Sequence, residues 1–393
     1  MKLAPRTLAP PPIRARAETR IASIDVLRGL VMVLMALDHV RDYFTVARCS
    51  PMDLSCTTPA LFFTRWITHF CAPVFMLLAG VSAGITGRRM TLAALRRFLV
   101  TRGLWLVVLE VTFVQLVWTF NVRYESGLVL QVIWALGVSM IMLAAVVGWP
   151  RPAIGLAGLA IVCGHDLLDG IAPARFGAWA PLWNVLHVQG PTPFGLVLYP
   201  LVPWIGVMML GYWLADLYAR PAAERRRDLL TIGGAAVYGF VGLRLANLYG
   251  DPTPWSSQTM PALTVLSFLN VAKYPPSLCY LLVTLGPALI VLALLENARG
   301  RIAGALETLG RVPLFFYVLH LAVAHLAAGL VALAMGFGPT PLGTIFLHFP
   351  KGWGFGLPGV YVAWIAVLAI TYPACRWFAG IKRRRTDWWL AYL

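Results

Sequence analysis

The chain has 393 residues, of which 59% are hydrophobic and only 12% are charged, and its mean hydropathy is +0.75. Soluble domains carry about 25% charged residues, so this composition excludes an ordinary soluble domain and indicates a polytopic membrane protein. The net charge of +16 would suit a nucleic-acid-binding protein. The basic residues instead follow the membrane pattern described below, so no nucleic-acid partner is expected.

Hydropathy predicts an all-α, polytopic bundle with about ten membrane spans. The fifth span is the weakest because it ends in a polar stretch with His165, Asp166 and Asp169, and a re-entrant or interfacial segment is the alternative there. The predicted spans are 22–44, 62–85, 98–120, 128–149, 152–169, 195–218, 229–249, 276–295, 312–335 and 357–379.

The chain is predicted to have three parts. Residues 1–20 are rich in proline, alanine and arginine and predict a disordered tail. Residues 21–380 form the membrane domain, and residues 381–393 form a basic, aromatic tail. No cleavable signal peptide is expected, because the first hydrophobic segment is long and charged.

The basic residues are distributed unequally between the two sets of connections. Of the 32 lysines and arginines, 22 fall on the connections that share a side with both termini, and seven fall on the others. The positive-inside rule therefore predicts an even number of spans, with both termini in the cytoplasm. A protein of this kind would lie in the bacterial inner membrane, in contact with its lipids.

The first span carries a polar stripe. Because a helix turns 100° per residue, five residues lie within about 60° of Arg28. These are Asp25, Met32, Met35, His39 and Asp42. Arg28 and His39 are about 16 Å apart along the axis, roughly half the hydrocarbon thickness. Ionisable groups at such depth usually serve function. A structural Asp25–Arg28 pair with a hydrogen-bonded core histidine is the alternative.

Further polar residues fall at or near membrane depth in later spans. Arg65 and His69 are four apart and share a helix face. Glu110 is buried near the middle of the third span and needs a partner or a cavity. Lys273 and Tyr274 stand at the mouth of the eighth span.

The ninth span contains His320 and His325, which point about 140° apart. They cannot both face one site. His320, nearer mid-membrane, is the interior candidate, and His325 is expected to serve packing or hydrogen bonding.

The cysteines predict one disulfide and no metal site. Cys49 and Cys56 share an outer loop, where oxidation is favourable. Four others lie in or beside spans without metal-ligand spacing and resemble small buried hydrophobes. They are Cys71, Cys163, Cys279 and Cys375.

Several motifs carry a resemblance to a known family. They are RIASIDVLRGLVMVLMALDHVRDYF, RWITHFCAPVF, TRGLWLVVLE, KYPPSL and GRVPLFFYVLH. This pattern resembles the bacterial branch of the family of the heparan-alpha-glucosaminide N-acetyltransferase catalytic domain. The spacing of Arg28 and His39 is also similar to that of the type 3 membrane acyltransferases.

The resemblance implies an integral-membrane enzyme that moves an acyl group from cytoplasmic acyl-CoA to a hydroxyl or amino group of a glycan or other small acceptor. His39, polarised by Asp38 or Asp42, would be the general base or transient acyl carrier. Arg28, paired with Asp25, would hold the donor. In the family's lysosomal enzyme the catalytic histidine lies beyond the first helix, so His69 is the substitute for His39.

The remaining candidates would line the acceptor side or support the site. They are Arg65, His69, Glu110, Lys273, Tyr274 and His320. The sequence leaves the acceptor, the acyl chain length and the oligomeric state open.

Two other classes of function compete with this interpretation. A proton-coupled secondary transporter would use His39, Glu110 and Asp38 as a relay. Internal repeats would favour it, but the charged first helix has no counterpart around the sixth or seventh span. A membrane scaffold gives no reason for the polar stripe.

The basic asymmetry makes the topology testable. Reporter fusions at Arg123, Asp251 and Lys351 should report outside, and a fusion at Arg226 should report inside, because each follows the alternation of ten spans. A cytoplasmic signal at any of the first three positions contradicts the ten-span topology.

Overall fold

The computed structural model describes residues 21–122, 127–385 and 387–392. Within them, one helix coincides with each of the ten predicted spans. These are Ala22–Phe44 (α1), Pro59–Gly87 (α2), Leu92–Thr119 (α3), Val132–Val146 (α4), Arg151–Leu168 (α5), Leu201–Ala219 (α6), Ala222–Ala246 (α7), Leu278–Asn297 (α8), Pro313–Ala334 (α9) and Leu357–Arg384 (α10). The predicted N-terminal tail lies outside the described residues.

Among the described residues, eight of these helices are long and apolar enough to cross a membrane. The other two helices do not meet both conditions, because α1 carries five charged residues and α4 is only 15 residues long. The fifth predicted span is one continuous stretch, α5, and is among the eight. The all-α, multi-pass membrane bundle is therefore confirmed.

Shorter elements connect the helices. Short α-helices are Ala180–Leu186, Pro261–Leu269 and Arg301–Gly310. A small sheet at one end of the bundle contains Leu128–Leu130 (β1), Gly190–Thr192 (β2) and Gly195–Val197 (β3), with β3 parallel to β1 and antiparallel to β2. Separate 3-10 turns are Pro173–Trp179, Thr340–Leu342, Phe346–His348 and Trp388–Ala391.

α1 lies at the centre of the bundle. The thiol of Cys71 on α2 donates to the Val31 carbonyl over 3.2 Å, and the indole of Trp364 on α10 donates to the Val33 carbonyl over 2.9 Å. Both helices run antiparallel to α1. Most of its apolar residues are buried, with Met32 completely inaccessible.

α9 runs parallel to α1. Three contacts follow both helices in the same order: Arg28 with the Gly310 carbonyl just before α9, His39 with His320, and Tyr43 stacked on His325. Seven helices separate α1 from α9, so a parallel pair is what alternating crossings require. The packing thus agrees with the predicted alternation without fixing which side is cytoplasmic.

Glycines allow the closest helix contacts. A Cβ on Gly29 would collide with the Leu306 backbone, and one on Gly310 would collide with the Asp25 backbone. The helix Arg301–Gly310 is therefore held directly against the first turns of α1. Small residues permit such backbone approach where lipid supplies no hydrophobic driving force between helices.

The predicted disulfide between Cys49 and Cys56 is present.

Another loop is organised by Arg244, which is 2% exposed. Its guanidinium donates to the carbonyls of Thr253, Ser267, Phe268 and Asn270. A buried cation thus replaces its lost hydration with backbone dipoles.

The glycine contact of α1 gives a matched stability test. Gly29→Ala should lower the free energy of unfolding by about 1–3 kcal/mol, because the methyl group would overpack against rigid backbone. Gly304→Ala lies in the facing helix Arg301–Gly310 with open space around it, and it should be neutral or stabilising by about 0.5–1 kcal/mol through helix propensity. Thermal unfolding in detergent measures both, and equal effects would contradict the close contact.

Candidate functional site

The centre of the site is a pair of histidines from two parallel helices. Nδ1 of His39 on α1 lies 2.8 Å from Nε2 of His320 on α9, and the rings stack with centroids 5.0 Å apart. His320 is completely buried, and His39 is half-buried. His320 contacts His39 on α1, and His325 stacks on Tyr43 about one turn further along the same helix.

The partners of His320 define the protons of the pair. Nδ1 of His320 lies 2.8 Å from the Phe316 carbonyl, which can only accept. The neutral His320 ring therefore carries its proton on Nδ1, and its Nε2 accepts from Nδ1–H of His39. Nε2 of His39 is left as an unprotonated lone pair. Among the described residues, no hydrogen bond involves that atom. The arrangement suits a general base.

Aromatic rings surround the His39 imidazole. Trp118 and Tyr317 meet it edge-on, with ring centroids 5.1 and 6.1 Å away, and Phe316 stacks on His320 at 4.8 Å. Apolar walls exclude water and keep the two rings in one orientation. Sequence reasoning missed Trp118 and Tyr317, because nothing in their own helices marks them as neighbours of α1.

The aspartates beside His39 have other partners. Asp38 pairs with Arg65 of α2 and lies 3.0 Å from Arg41, which also pairs with Asp42. The polarisation of the His39 ring by Asp38 or Asp42 stays a prediction: among the described residues neither carboxylate hydrogen-bonds the ring, whose Nδ1 contacts His320. Two aspartates and two arginines instead balance each other's charge, as burial demands.

Arg41 is one of the seven basic residues that the sequence analysis counted on the connections opposite the termini. It instead lies within α1 and is only 4% exposed. Its spacing carried the missing signal, because Asp38 stands one helical turn before it, where opposite charges meet.

Lys273 adds a positive charge on the same side of the site. It acts electrostatically on Asp38, His39 and His69, and among the described residues no carboxylate lies within 4.0 Å of its ammonium. Burial opposes ionisation of Tyr274, but Lys273 and Arg65 outweigh it and lower the Tyr274 pKa. Lys273 is therefore a cation without an ion-pair partner in the described structure, and its Nζ lies 5.2 Å from the centre of the Tyr274 ring.

His69 is buried near this cluster but does not join the histidine pair. It lies in the 3-10 turn Ile67–Phe70 within α2 and is 2% exposed. Its ring meets Tyr280 at 5.4 Å, and its Nδ1 has no hydrogen-bond partner in the described part of the chain. The tautomer of His69 is therefore not fixed by a hydrogen bond to Nδ1 from the described residues, whereas that of His39 is fixed by His320.

Glu110 lies in a π-helical segment of α3, Glu110–Val114, and is 1% exposed. Its Oε2 accepts from the Trp134 backbone over 3.1 Å at the start of α4. A carboxylate at a helix N-terminus is favourable, so Glu110 supports α4. Its electrostatic contact with Tyr317 connects it only indirectly to His39.

Arg28 and Asp25 lie at the other end of the stripe. Nη1 of Arg28 donates to Asp25 over 2.8 Å and to the Gly310 carbonyl over 3.1 Å, and Nη2 donates to Ser82 over 3.2 Å. The Asp25–Arg28 pair of the structural alternative therefore exists. It is separated from the histidine pair by about three helical turns.

A cavity of about 500 Å³ lies near the end of α10. Its lining contains none of the predicted site residues. The lining residues are Tyr372, Pro373, Arg376, Trp377, Gly380, Ile381, Arg383 and Arg384.

The fold defines a multi-pass membrane protein with a histidine pair and a charge cluster between its helices. The model of the family "Heparan-alpha-glucosaminide N-acetyltransferase, catalytic" matches residues 20–243, more than half of the chain. The chain belongs to this family of membrane acetyltransferases. No curated protein matches it. The matched region contains Arg28, His39 and Arg65, whereas Lys273 and His320 follow it.

The Asp38–Arg65 pair predicts non-additive stability. Arg65→Met should cost about 3 kcal/mol of unfolding free energy, because Asp38 loses a partner in a buried site. Asp38→Leu combined with Arg65→Met should cost clearly less, since the Arg41–Asp42 pair remains. Thermal unfolding of both single variants and the double variant completes the cycle. A simple sum of the two single effects would contradict the coupling.

Proposed function

We propose that this protein transfers an acyl group, acetyl being the simplest, from cytoplasmic acyl-CoA to a hydroxyl or amino group of an extracytoplasmic acceptor in the bacterial inner membrane. A glycan is the proposed acceptor class. The observation that carries the proposal is the His39–His320 contact of 2.8 Å, which leaves Nε2 of His39 free to act as base. Membership of the acetyltransferase family supports it.

His39 would act as the general base. Its Nε2 takes the proton of the acceptor hydroxyl or amine as the acceptor oxygen or nitrogen attacks the thioester carbonyl. The carbon–sulfur bond then breaks, His39 gives this proton to the departing CoA thiolate, and the acylated acceptor remains. His320 is the positioning residue, because it holds the His39 ring and its tautomer.

Lys273 would stabilise the negative charge that develops on the thioester oxygen. A positive charge without an ion-pair partner in a dry site is worth more than the same charge in water. Arg28 would hold the donor about 16 Å away along α1, a separation that suits a long pantetheine arm between a phosphate-binding end and a reacting thioester. The 22-to-7 basic asymmetry supports the side on which the donor enters.

Two substitutions distinguish the proposed role of His39 as base from that of Arg28 in binding the donor. His39→Gln should abolish transfer while leaving acyl-CoA affinity nearly unchanged, because a base acts in the transition state. Arg28→Lys should weaken donor binding by about tenfold or more, since lysine loses the planar fork. Purified protein, radiolabelled acetyl-CoA and cell-envelope fractions provide the transfer assay, and equilibrium binding provides the affinity.

The control is His348→Gln, which changes an exposed histidine on another segment and should leave both quantities unchanged. His320→Leu should lower the turnover rate while leaving donor affinity unchanged, because His39 loses the acceptor of its Nδ1–H. Thermal unfolding of each variant distinguishes these effects from misfolding. If folded wild-type protein neither binds acyl-CoA nor loses function on His39→Gln, the acyltransferase proposal fails and the proton-coupled transporter takes its place.

A further inference from the structure

A second polar cluster lies at the end of α5, and the proposed reaction does not use it. His165 and Asp169 stand four residues apart, and His187 follows the short helix Ala180–Leu186. One ligand atom from each of these three side chains lies within 4.8 Å of the other two. Nε2 of His187 is 2.9 Å from Oδ1 of Asp169.

The two histidines are almost fully buried, at 2% exposure for His165 and 0% for His187. Within the described residues, several of their ring nitrogens have no hydrogen-bond partner: both nitrogens of His165 and Nδ1 of His187. Oδ1 of Asp166 also has no hydrogen-bond partner among the described residues, although it lies 3.1 Å from His165 Nδ1. Leaving one such buried group unsatisfied costs about 1–3 kcal/mol, so a concentration of four at one place points to a ligand.

We propose that His165, Asp169 and His187 bind a divalent transition-metal ion, with Zn²⁺ the best fit. Two imidazoles and one carboxylate form a common zinc ligand set, and water completes the tetrahedron. Ligand atoms that bind one zinc ion at about 2.0–2.1 Å lie about 3.4 Å from one another. The three ligand atoms here already lie within 4.8 Å of one another, so a small contraction of the cluster would bring them to zinc-binding distance. This proposal replaces the sequence-based expectation of no metal, which considered only cysteine spacing.

Asp166 would orient His165 from outside the ligand set. Its Oδ2 accepts from the Leu278 backbone over 3.0 Å at the start of α8, so the carboxylate is fixed. Its Oδ1 lies 3.1 Å from His165 Nδ1, so a slight rotation would let Nδ1–H donate a hydrogen bond to it. A carboxylate behind a ligating histidine is the usual support for a metal site.

The site has an entry path and a structural consequence. The Asp169 side chain is 20% exposed, so an ion and its water can reach the cluster from that side. A bound ion would join α5 to the segment that contains Ala180–Leu186 and, through Asp166, to the start of α8. The metal would therefore fix the connection between α5 and α6 on the bundle.

Zinc titration of the full-length, chelator-treated protein in detergent tests the site directly. We expect one Zn²⁺ per chain by elemental analysis after gel filtration, a higher unfolding temperature with Zn²⁺, and visible bands of four-coordinate Co²⁺ on cobalt substitution. Asp169→Asn should weaken Zn²⁺ binding by at least about tenfold, as should Asp166→Asn if it supports His165.

His348→Gln is the matched control, since it removes an exposed histidine outside the cluster and should leave Zn²⁺ binding unchanged. His187→Gln should abolish the stoichiometric ion. Well under one Zn²⁺ per wild-type chain overturns the proposal whether or not the variants fold, and so does equal zinc in wild type and folded Asp169→Asn. Neither result bears on acyl transfer, because metal content is measured without substrate.

Discussion

A charged side chain within the hydrocarbon region needs partners from the protein, because lipid cannot solvate it. This constraint determines where α1 lies. Asp38 of α1 pairs with Arg65 on α2, and Arg28 of α1 donates to Ser82 on α2 and to the carbonyl of Gly310. A helix with so many protein partners cannot face lipid along its length. It becomes the axis around which α2, α9 and α10 pack.

The parallel packing of α1 and α9 turns this structural need into a candidate chemical centre. Arg28 and His39 are eleven residues apart on α1, which is about 16 Å of helix rise. Their partners Gly310 and His320 are ten residues apart, and the turn between Gly310 and Pro313 lies between them. The contacts of α1 with α9 and with the turn before it therefore continue from Arg28 through the histidine pair to Tyr43, and the rigid backbone of both helices fixes the direction of the free His39 nitrogen.

Local periodicity was enough to predict the parts of the structure that depend on one segment. Together with hydropathy it identified all ten helices and the shared face of Arg28 and His39, but it did not show that His325 would also contact α1, through Tyr43. It failed where the answer depends on which helices are neighbours. The partner of His39 was expected on its own helix, among the adjacent aspartates, but it comes from α9, 281 residues away. Glu110 likewise supports a helix start that its own segment does not reveal.

The residues that complete both polar centres come from outside the matched family region. His39 is in that region, but the acceptor that sets its tautomer is His320. Asp166 is also in that region, but one of its oxygens is held by the start of α8. Without the C-terminal helices, His39 Nδ1 would lose its acceptor and Asp166 its backbone donor. The orientation of the His39 ring is therefore a property of the whole bundle, because α1 supplies the ring and α9 supplies the contact that orients it.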